Sequence, residues 1–309
     1  MSAQHIRAVI TVNGVVQGVG FRPFVYKLAH SCDISGWVNN FPGGVHIEAE
    51  GAEEIIQTFI LRLQQEAPLV SSVDTFQVEY AAFLGYSGFE IRESSSESAN
   101  EAYISADIAV CADCLQEMND PKNRRYRYPF INCTNCGPRF TITTGIPYDR
   151  ANTTMSTFPM CEYCADEYHD PADRRFHAQP VACKRCGPRL FLLDAAGKQI
   201  ASGSELERAV VMLNAGKILA IKGLGGYHIA CDAKNKEAVR ELRKRKARDG
   251  KPFALMAKNI EVVQQYCFVN ELELEILQGI KRPIVLLERR PGTDLAAQSI
   301  SPDNNKIVI

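Results

Sequence analysis

The chain has 309 residues, of which 46% are hydrophobic and 23% charged, so it has the composition of a folded globular protein with about two domains. Its 35 Lys and Arg residues nearly balance its 36 Asp and Glu residues, which argues against a general nucleic-acid coat or a polybasic membrane binder. No apolar run reaches the roughly 18 residues of a membrane span, and the amino terminus has no signal-peptide pattern. We therefore expect a cytoplasmic protein that does not contact membranes.

The first segment, residues 1–92, has the pattern of a small α+β domain. Alternating apolar residues predict strands, and apolar residues three or four positions apart predict helices. Strands are predicted at residues 6–12, 44–50, 73–80 and 88–92, and helices at residues 21–32 and 55–63. We interpret the segment as a βαββαβ domain of the ferredoxin-like type, in which two helices cover one face of an antiparallel sheet.

A glycine-rich stretch, VNGVVQGVGFR, occupies residues 12–22 between the first predicted strand and the first predicted helix. Gly14, Gly18 and Gly20 allow successive backbone N–H groups to converge, and the helix adds the partial positive charge of its amino terminus. Arg22 can bind two phosphate oxygens through its planar guanidinium. The pattern indicates a phosphate site, with a glycine-rich turn and an exposed arginine as the alternative. The absence of a Walker A motif excludes a P-loop NTPase.

This stretch and the segment GWVNN, residues 36–40, resemble the two signatures of acylphosphatases, and the resemblance covers about the first 92 residues. It implies that Arg22 binds the phosphate and that Asn40 orients the attacking water. It also implies that the backbone binds phosphate at Val16, Gln17, Gly18, Val19, Gly20 and Phe21. Because an acyl phosphate is already activated, positioning and charge neutralisation are sufficient for hydrolysis without a metal or a covalent intermediate.

Residues 93–105 are predicted to form a linker, because ESSSESANEA at residues 93–102 contains no apolar residue larger than alanine. A duplicated module with a period of 50 residues follows within residues 106–196. Its two copies share two C-x-x-C pairs, a D-P, an R-R and a G-P-R tail. We call residues 111–139 the first repeat and residues 161–189 the second repeat.

Eight of the eleven cysteines lie in these repeats, with the spacing C-x2-C-x18-C-x2-C in each. The predicted metal ligands are Cys111, Cys114, Cys133, Cys136, Cys161, Cys164, Cys183 and Cys186. Four thiolates complete a tetrahedral shell with no open position, so we expect two structural zinc ions, with free cysteines and redox pairs as alternatives. The spacing leaves open whether each repeat binds its own ion or whether the outer pairs share one ion and the inner pairs the other.

The remaining histidines and cysteines of interest are interpreted as packing residues. His169 and His177 lie between the cysteine pairs of the second repeat and are interpreted as surface or packing histidines. Cys32, Cys231 and Cys267 have apolar surroundings and are interpreted as core residues. The zinc module itself is interpreted as a rigid wall or spacer whose chelation leaves acylphosphatase turnover unchanged.

Residues 197–309 return to an α/β rhythm and contain a basic segment, RELRKRKARDGK, at residues 240–251. A solvated helix face is one interpretation of the basic residues. The order of strand, glycine-rich turn, helix and basic segment resembles YrdC-like domains, which bind ATP and form acyl-adenylates. The resemblance implies that ATP is a substrate and Mg²⁺ a cofactor of this domain. It assigns ATP or substrate contacts to Lys222, Tyr227, Lys246, Arg248 and Lys251. The segment is shorter than the full family domain, which predicts an incomplete YrdC-like domain.

The order of the three modules resembles the amino-terminal part of HypF, the carbamoyltransferase family of nickel–iron hydrogenase maturation. That resemblance implies hydrolysis of carbamoyl phosphate, formation of carbamoyl-adenylate from ATP, and transfer to the carboxy-terminal cysteine thiol of the partner HypE. The transferred group is the precursor of the cyanide ligands of the nickel–iron site. Two alternatives remain open: a stand-alone acylphosphatase with zinc modules, and a non-enzymatic DnaJ-like zinc protein that binds RNA. The nearly balanced numbers of positive and negative residues argue against RNA binding.

Overall fold

A computed structural model describes residues 5–95, 103–201, 203–248, 250–302 and 304–309. Contacts between backbone segments divide the chain into two compact units, Met1–Pro188 and Arg189–Ile309. Part of the predicted linker, residues 96–102, lies outside the described residues. Within the described part of the chain, no helix combines the length and the apolar character that crossing a bilayer requires.

The first unit begins with a five-stranded sheet covered by two helices. The elements are β1 (His5–Val15), α1 (Phe21–Ser31), β2 (Ser35–Phe41), β3 (Gly44–Ala52), α2 (Glu53–Gln65), β4 (Ser72–Ala81) and β5 (Phe89–Ile91). The strand order is β4-β1-β3-β2-β5. This confirms the ferredoxin-like fold, although β5 runs parallel to β2, so the sheet is not wholly antiparallel as expected. The strand β2 was not among the strands predicted from alternation.

The helices pack on this sheet because their apolar residues share one face. In α1 the buried side chains include Val25 and Leu28, and in α2 they include Ile56 and Phe59, which are spaced three residues apart in each helix. They join Ile10 and the alternate residues of the central strands in one core. Each such apolar side chain contributes about 1.5–3 kcal/mol when it is fully buried.

The rest of the first unit is irregular backbone held together around the cysteines. Each repeat has one short helix that begins directly after its first cysteine, α3 (Ala112–Asn119) in the first repeat and α4 (Glu162–His169) in the second. We call residues 140–160, which join the two repeats, the connector. It contains three single-turn 3-10 helices, Phe140–Ile142, Arg150–Asn152 and Thr154–Thr157.

The second unit has small cores and short strands. Its elements are β6 (Leu192–Leu193), β7 (Gln199–Ala201), α5 (Glu205–Asn214), β8 (Leu219–Lys222), β9 (Tyr227–Ala230), α6 (Lys236–Arg245), α7 (Ile260–Tyr266), α8 (Glu271–Gln278), β10 (Leu286–Glu288), α9 (Ala297–Ile300) and β11 (Lys306–Val308). The strands form three two-stranded ladders. No residue of α5 or α8 is fully buried, so the hydrophobic core of this α/β unit is only partly formed.

Candidate functional site

The chain between β1 and α1 forms a buried loop of residues 16–20, which we call the glycine loop. Gly18 and Gly20 have φ values of 75° and 78°, a left-handed conformation that favours glycine. Gln17 forms an isolated parallel bridge with Ile104, and within the described residues the backbone N–H groups of residues 19–22 have no protein acceptor among the backbone hydrogen bonds. These four donors lie at the amino terminus of α1, which is a suitable arrangement for binding an anion.

Arg22 and Asn40 lie together beside this loop. Arg22 is in the first turn of α1 and is 8% exposed, and Asn40 is on β2 and is 1% exposed. With the Asn40 amide oriented to satisfy its surroundings, its Oδ1 accepts from both Nε and Nη2 of Arg22 at 3.2 Å. The structure therefore brings together the two residues that the resemblance assigned to catalysis.

The side chain of Gln17 ties the glycine loop to its surroundings. Its Nε2 donates to the carbonyl oxygens of Phe41 at 2.8 Å and Gly44 at 3.0 Å, and its Oε1 accepts from the backbone N–H of Tyr148 at 2.9 Å. Val16, Val19 and Phe21 turn their side chains into the core of the sheet domain. Only the backbone of these residues is therefore available to a ligand.

The connector covers the guanidinium of Arg22. Its Nη2 donates to the Tyr148 carbonyl at 3.1 Å and to Asp149 Oδ1 at 2.7 Å. Its Nη1 donates to Ser94 Oγ at 3.3 Å, and Ser94 in turn donates to Asp149 Oδ2. Sequence reasoning did not find Ser94, Tyr148 or Asp149, because no local motif relates residues more than 70 positions apart.

Arg139, in the tail of the first repeat, anchors the glycine loop from the other side. It is 2% exposed, and its Nε donates to the Gly18 carbonyl. Its other nitrogens donate to carbonyls of the first cysteine cluster, including Cys136 at 3.2 Å and Thr134 at 2.8 Å. A Cβ atom at Gly20 would lie 2.9 Å from the Thr134 side chain, so the close approach also requires glycine. These contacts correct the interpretation of the zinc module as an independent spacer.

The loop and the zinc module enclose a cavity of about 30 Å³ lined by Arg22, Asn40, Tyr148 and His177, among others. His177 packs against the rings of Tyr168 and Phe176, with centroids 5.0 and 4.7 Å away. Burial, followed by the charge of Arg22, lowers the pKa of His177 to about 4, so the imidazole is neutral near pH 7. A residue interpreted from sequence as packing thus also forms part of the site wall.

The cysteines form two clusters, one in each repeat, and this resolves the pairing that the spacing left open. The first cluster is Cys111, Cys114, Cys133 and Cys136, and the second is Cys161, Cys164, Cys183 and Cys186. The closest sulfur–sulfur separations are 3.6–3.8 Å. A tetrahedron with Zn–S bonds of about 2.3 Å has sulfur–sulfur edges of about 3.8 Å, so both clusters fit zinc.

Arginines cross between the two repeats. Arg124 of the first repeat donates to Cys164 Sγ of the second cluster at 3.4 Å, and Arg174 of the second repeat donates to Cys114 Sγ of the first cluster at 2.9 Å. Four thiolates around Zn²⁺ carry a net charge of −2, which the crossed arginines offset. The shared R-R motif was visible in the sequence, but its crossed contacts were not.

Glutamates complete these crossed contacts. Glu167 pairs with Arg124 and Arg125, and Glu117 pairs with Arg174 and Arg175. Burial opposes the ionisation of Glu167, but the hydrogen bonds from the two arginines outweigh it and lower the pKa of its carboxyl to about 2. The glutamates hold the arginines in place beside the sulfur atoms.

The residues assigned to ATP or substrate fall into two groups in the second unit. Lys222 and Tyr227 face each other across the β8–β9 ladder, with Nζ 5.8 Å from the ring centroid. Lys246, Arg248 and Lys251 lie in the turn after α6, where Arg248 donates to the Pro252 carbonyl at 2.7 Å. Within the described residues, no hydrogen bond or ion pair joins the two groups.

Sequence families match each module. The acylphosphatase family matches residues 8–91, the HypF finger matches residues 110–143 and 160–193, and the Sua5, YciO and YrdC family, described as telomere recombination, matches residues 211–309. Carbamoyltransferase HypF2 of Cupriavidus necator is 52% identical over 299 residues, which cover 96% of this chain and 37% of that protein. The chain belongs to the HypF family. Its predicted modules, an acylphosphatase domain, two four-cysteine clusters and a partial YrdC-like region, are thereby confirmed.

Two further relatives show how the length of this chain compares with a full-length HypF and with a stand-alone acylphosphatase. The crystal structure of a full-length HypF in the phosphate- and nucleotide-bound form matches with a TM-score of 0.92 and 47% identity, over 98% of this chain and 39% of that one. An acylphosphatase of Methanospirillum hungatei is 40% identical over 87 residues, which are 96% of that protein but 28% of this chain. The chain thus spans about two fifths of the length of its HypF relatives and is far longer than a stand-alone acylphosphatase.

Proposed function

We propose that this HypF-family chain hydrolyses carbamoyl phosphate at the glycine loop, as the acylphosphatase step of a hydrogenase-maturation carbamoyltransferase. The observation that carries the proposal is the set of N–H donors of residues 19–22 that have no protein acceptor, next to the buried pair Arg22 and Asn40. Backbone donors without protein acceptors pair with water or with a ligand, and their concentration at a helix amino terminus favours a phosphate group.

The chemistry follows from this arrangement. The N–H groups and Arg22 neutralise the phosphate oxygens, and the Asn40 side chain orients the attacking water. The water oxygen bonds to phosphorus, the bridging P–O bond breaks, and its electron pair remains on carbamate. The products are carbamate, inorganic phosphate and one proton released to solvent.

The later steps belong to the partial YrdC-like region and to parts of HypF relatives beyond this chain. The carboxylate of carbamate attacks the α-phosphorus of ATP and displaces pyrophosphate, which gives carbamoyl-adenylate. Lys246, Arg248 and Lys251 would contact the phosphates of ATP, with Mg²⁺ as the cofactor. Lys222 and Tyr227 would contact the carbamate substrate. The HypE cysteine thiol then attacks the carbamoyl carbon and a C–S bond forms, while AMP leaves and the thiol proton is released. The resulting S-carbamoyl group is the precursor of cyanide. The nucleotide-bound structure of a HypF relative supports the ATP-dependent step. We also propose that the protein is cytoplasmic.

The first test measures phosphate release from carbamoyl phosphate by the zinc-loaded chain of 309 residues. Replacement of Arg22 or Asn40 by alanine is expected to lower turnover by about 10²–10³-fold, because each removes a contact to the reacting group. Arg240→Ala, which changes an exposed arginine on α6, is the matched control and should leave turnover unchanged. Equal turnover by the Arg22 variant and the control would reject the site.

The second test separates the alternatives by carbamoyl phosphate-dependent ATP–pyrophosphate exchange. The proposed function predicts exchange that Arg248→Ala and Lys251→Ala abolish, on a chain that also includes the rest of the YrdC-like domain. A stand-alone acylphosphatase releases phosphate without using ATP. An RNA-binding zinc protein does neither and binds RNA in a salt-sensitive manner.

A further inference from the structure

We propose that Asp149, in the connector, is a positioning residue for the acylphosphatase reaction. It holds the guanidinium of Arg22 in place beside Asn40 and the glycine loop, so that a residue from outside the acylphosphatase domain completes the phosphate site. The inference rests on the proposed hydrolysis of carbamoyl phosphate and adds to it a residue that acts through Arg22.

The guanidinium of Arg22 has few contacts inside the segment that matches the acylphosphatase family. Among the described residues of that segment, its one hydrogen-bond partner is the Asn40 side chain, at 3.2 Å from Nε and Nη2. A long arginine side chain loses rotamer freedom when it is fixed, so a single neutral amide holds it weakly. The remaining partners, Ser94, Tyr148 and Asp149, all lie beyond the matched segment.

Asp149 and Ser94 close a ring of hydrogen bonds with the two terminal nitrogens of Arg22. Nη2 donates to Asp149 Oδ1 at 2.7 Å, Nη1 donates to Ser94 Oγ at 3.3 Å, and Ser94 Oγ donates to Asp149 Oδ2. The bond between guanidinium and carboxylate is charge-assisted, and such bonds are roughly twice as strong as neutral ones. Asp149 therefore contributes most to fixing the plane of the guanidinium.

Asp149 can act in this way because its own backbone is fixed on both sides. The N–H of Tyr148 donates to Gln17 Oε1 at 2.9 Å, which ties the connector to the glycine loop. On the other side, Arg150 donates from its backbone N–H to Gln179 Oε1 at 2.8 Å and from Nη1 to the Gln179 carbonyl at 2.7 Å. The carboxylate is therefore carried by a segment that is bonded both to the sheet domain and to the second repeat.

The ring leaves a donor of Arg22 for the ligand. Nη1 carries two hydrogens, and within the described residues Ser94 is its only acceptor. The second hydrogen of Nη1 and the N–H groups of residues 19–22 therefore remain for phosphate oxygens while the contact to Asp149 stays intact. This distinguishes positioning from competition, in which the carboxylate would have to leave Arg22 before phosphate could bind.

The experiment measures kcat and KM for phosphate release from carbamoyl phosphate by the zinc-loaded chain. We expect Asp149→Ala to lower kcat/KM by about 10–100-fold, because a small misplacement of a group that contacts the reacting phosphate is costly. Asp149→Asn keeps an oxygen that can accept from Nη2, so its loss should be smaller than that of the alanine variant. Ser94→Ala opens the ring and should also lower kcat/KM by a smaller factor. Asp74→Ala, at an exposed site on β4, is the matched control and should leave kcat/KM unchanged.

A double variant tests whether Asp149 acts through Arg22. When residue 22 is alanine there is no guanidinium to position, so Arg22→Ala combined with Asp149→Ala should match Arg22→Ala alone within about twofold. A further loss in the double variant, as large as the loss in Asp149→Ala alone, would show that Asp149 supports the fold without positioning Arg22.

Other results also overturn the inference. A rise in kcat/KM for Asp149→Ala, with stronger inhibition by inorganic phosphate, would mean that the carboxylate competes with phosphate for Arg22. Unchanged kinetics would mean that Asn40 alone is sufficient to hold Arg22. If the Asp149 variants lose zinc or unfold, Ser94→Ala decides, and an unchanged kcat/KM there contradicts the inference. A wild-type chain that does not hydrolyse carbamoyl phosphate contradicts the proposed function itself.

Discussion

The two repeats are nearly equivalent at their metal clusters and differ at their tails. Each has the same cysteine spacing, a helix after the first cysteine and an arginine pair directed at the other repeat. The G-P-R tail of the first repeat buries Arg139 against the glycine loop, whereas the equivalent Arg189 is exposed. Arg127 and His177 are equivalent positions with φ values of 54° and 53°, and His177 lines the cavity. The features that the repeats share form the metal clusters, and the residues at which they differ make the contacts to the candidate site.

The largest expected effect comes from breaking one cluster at a time. Cys136→Ser removes a ligand of the first cluster, whose carbonyls hold Arg139, and should lower both zinc content and phosphate release from carbamoyl phosphate. Cys186→Ser removes the equivalent ligand of the second cluster and should release its zinc with a smaller loss of turnover. Structural zinc contributes about 10–16 kcal/mol to folding of small domains, so the affected repeat should unfold locally. Equal losses of turnover in the two variants would show that the repeats support the site equally.

The tails give the next contrast. Arg139→Ala leaves several buried carbonyl oxygens unpaired and should destabilise the first unit by about 3 kcal/mol or more. Arg189→Ala, at the equivalent exposed position, should change stability by less than about 0.5 kcal/mol. Thermal unfolding followed by circular dichroism measures both, with phosphate release as a second readout. Similar shifts in Tm would contradict the asymmetry of the tails.

The crossed arginines should make each repeat control the metal affinity of the other. Arg124→Gln is expected to weaken metal binding at the second cluster by about 10–100-fold, and Arg174→Gln should do the same at the first cluster. Cadmium-113 NMR of the substituted protein gives one signal per cluster, and chelator titration then measures each affinity. A change confined to the repeat that carries the substitution would rule out the crossed arrangement.

The smallest effect concerns His177 and pH. Its folded pKa of about 4 lies below the ordinary value of 6.5, because of burial and then the charges of Arg22 and His169, with Asp149 acting in the opposite direction. The unfolded chain therefore binds this proton first, and stability falls as pH drops from 6.5 to 4. The Tm advantage of the wild type over His177→Gln should shrink across that window. A difference that is constant with pH would show that His177 titrates normally when folded.

Much of the fold could be predicted because its signals are local. Helical spacing predicted α1 and α2, and the cysteine spacing predicted both metal clusters. The strand β2 was missed because its buried positions include Gly36, Val38 and Asn40, of which only valine gives an apolar signal. The buried asparagine that hides this strand is also a candidate site residue, so a functional requirement replaced the structural pattern.

The cover of the site was not predictable from the sequence because it depends on long-range contacts. Arg22 meets Asp149 across 127 residues, and Arg139 meets Gly18 across 121. No periodicity or motif links such positions, and the pairing of the repeats was open for the same reason. The acylphosphatase resemblance identified Arg22 and Asn40 but ended at the boundary of that domain.

The crossed arginines have a consequence for any attempt to divide the protein. A fragment that stops within the connector retains the first cluster with its doubly negative charge but loses Arg174, which contacts its sulfur atoms, and Arg175, which pairs with Glu117. The same fragment leaves Arg124 and Arg125 without the thiolate and carboxylate that they contact. The smallest stable piece of the zinc module is therefore the pair of repeats, so limited proteolysis should leave them together or degrade both.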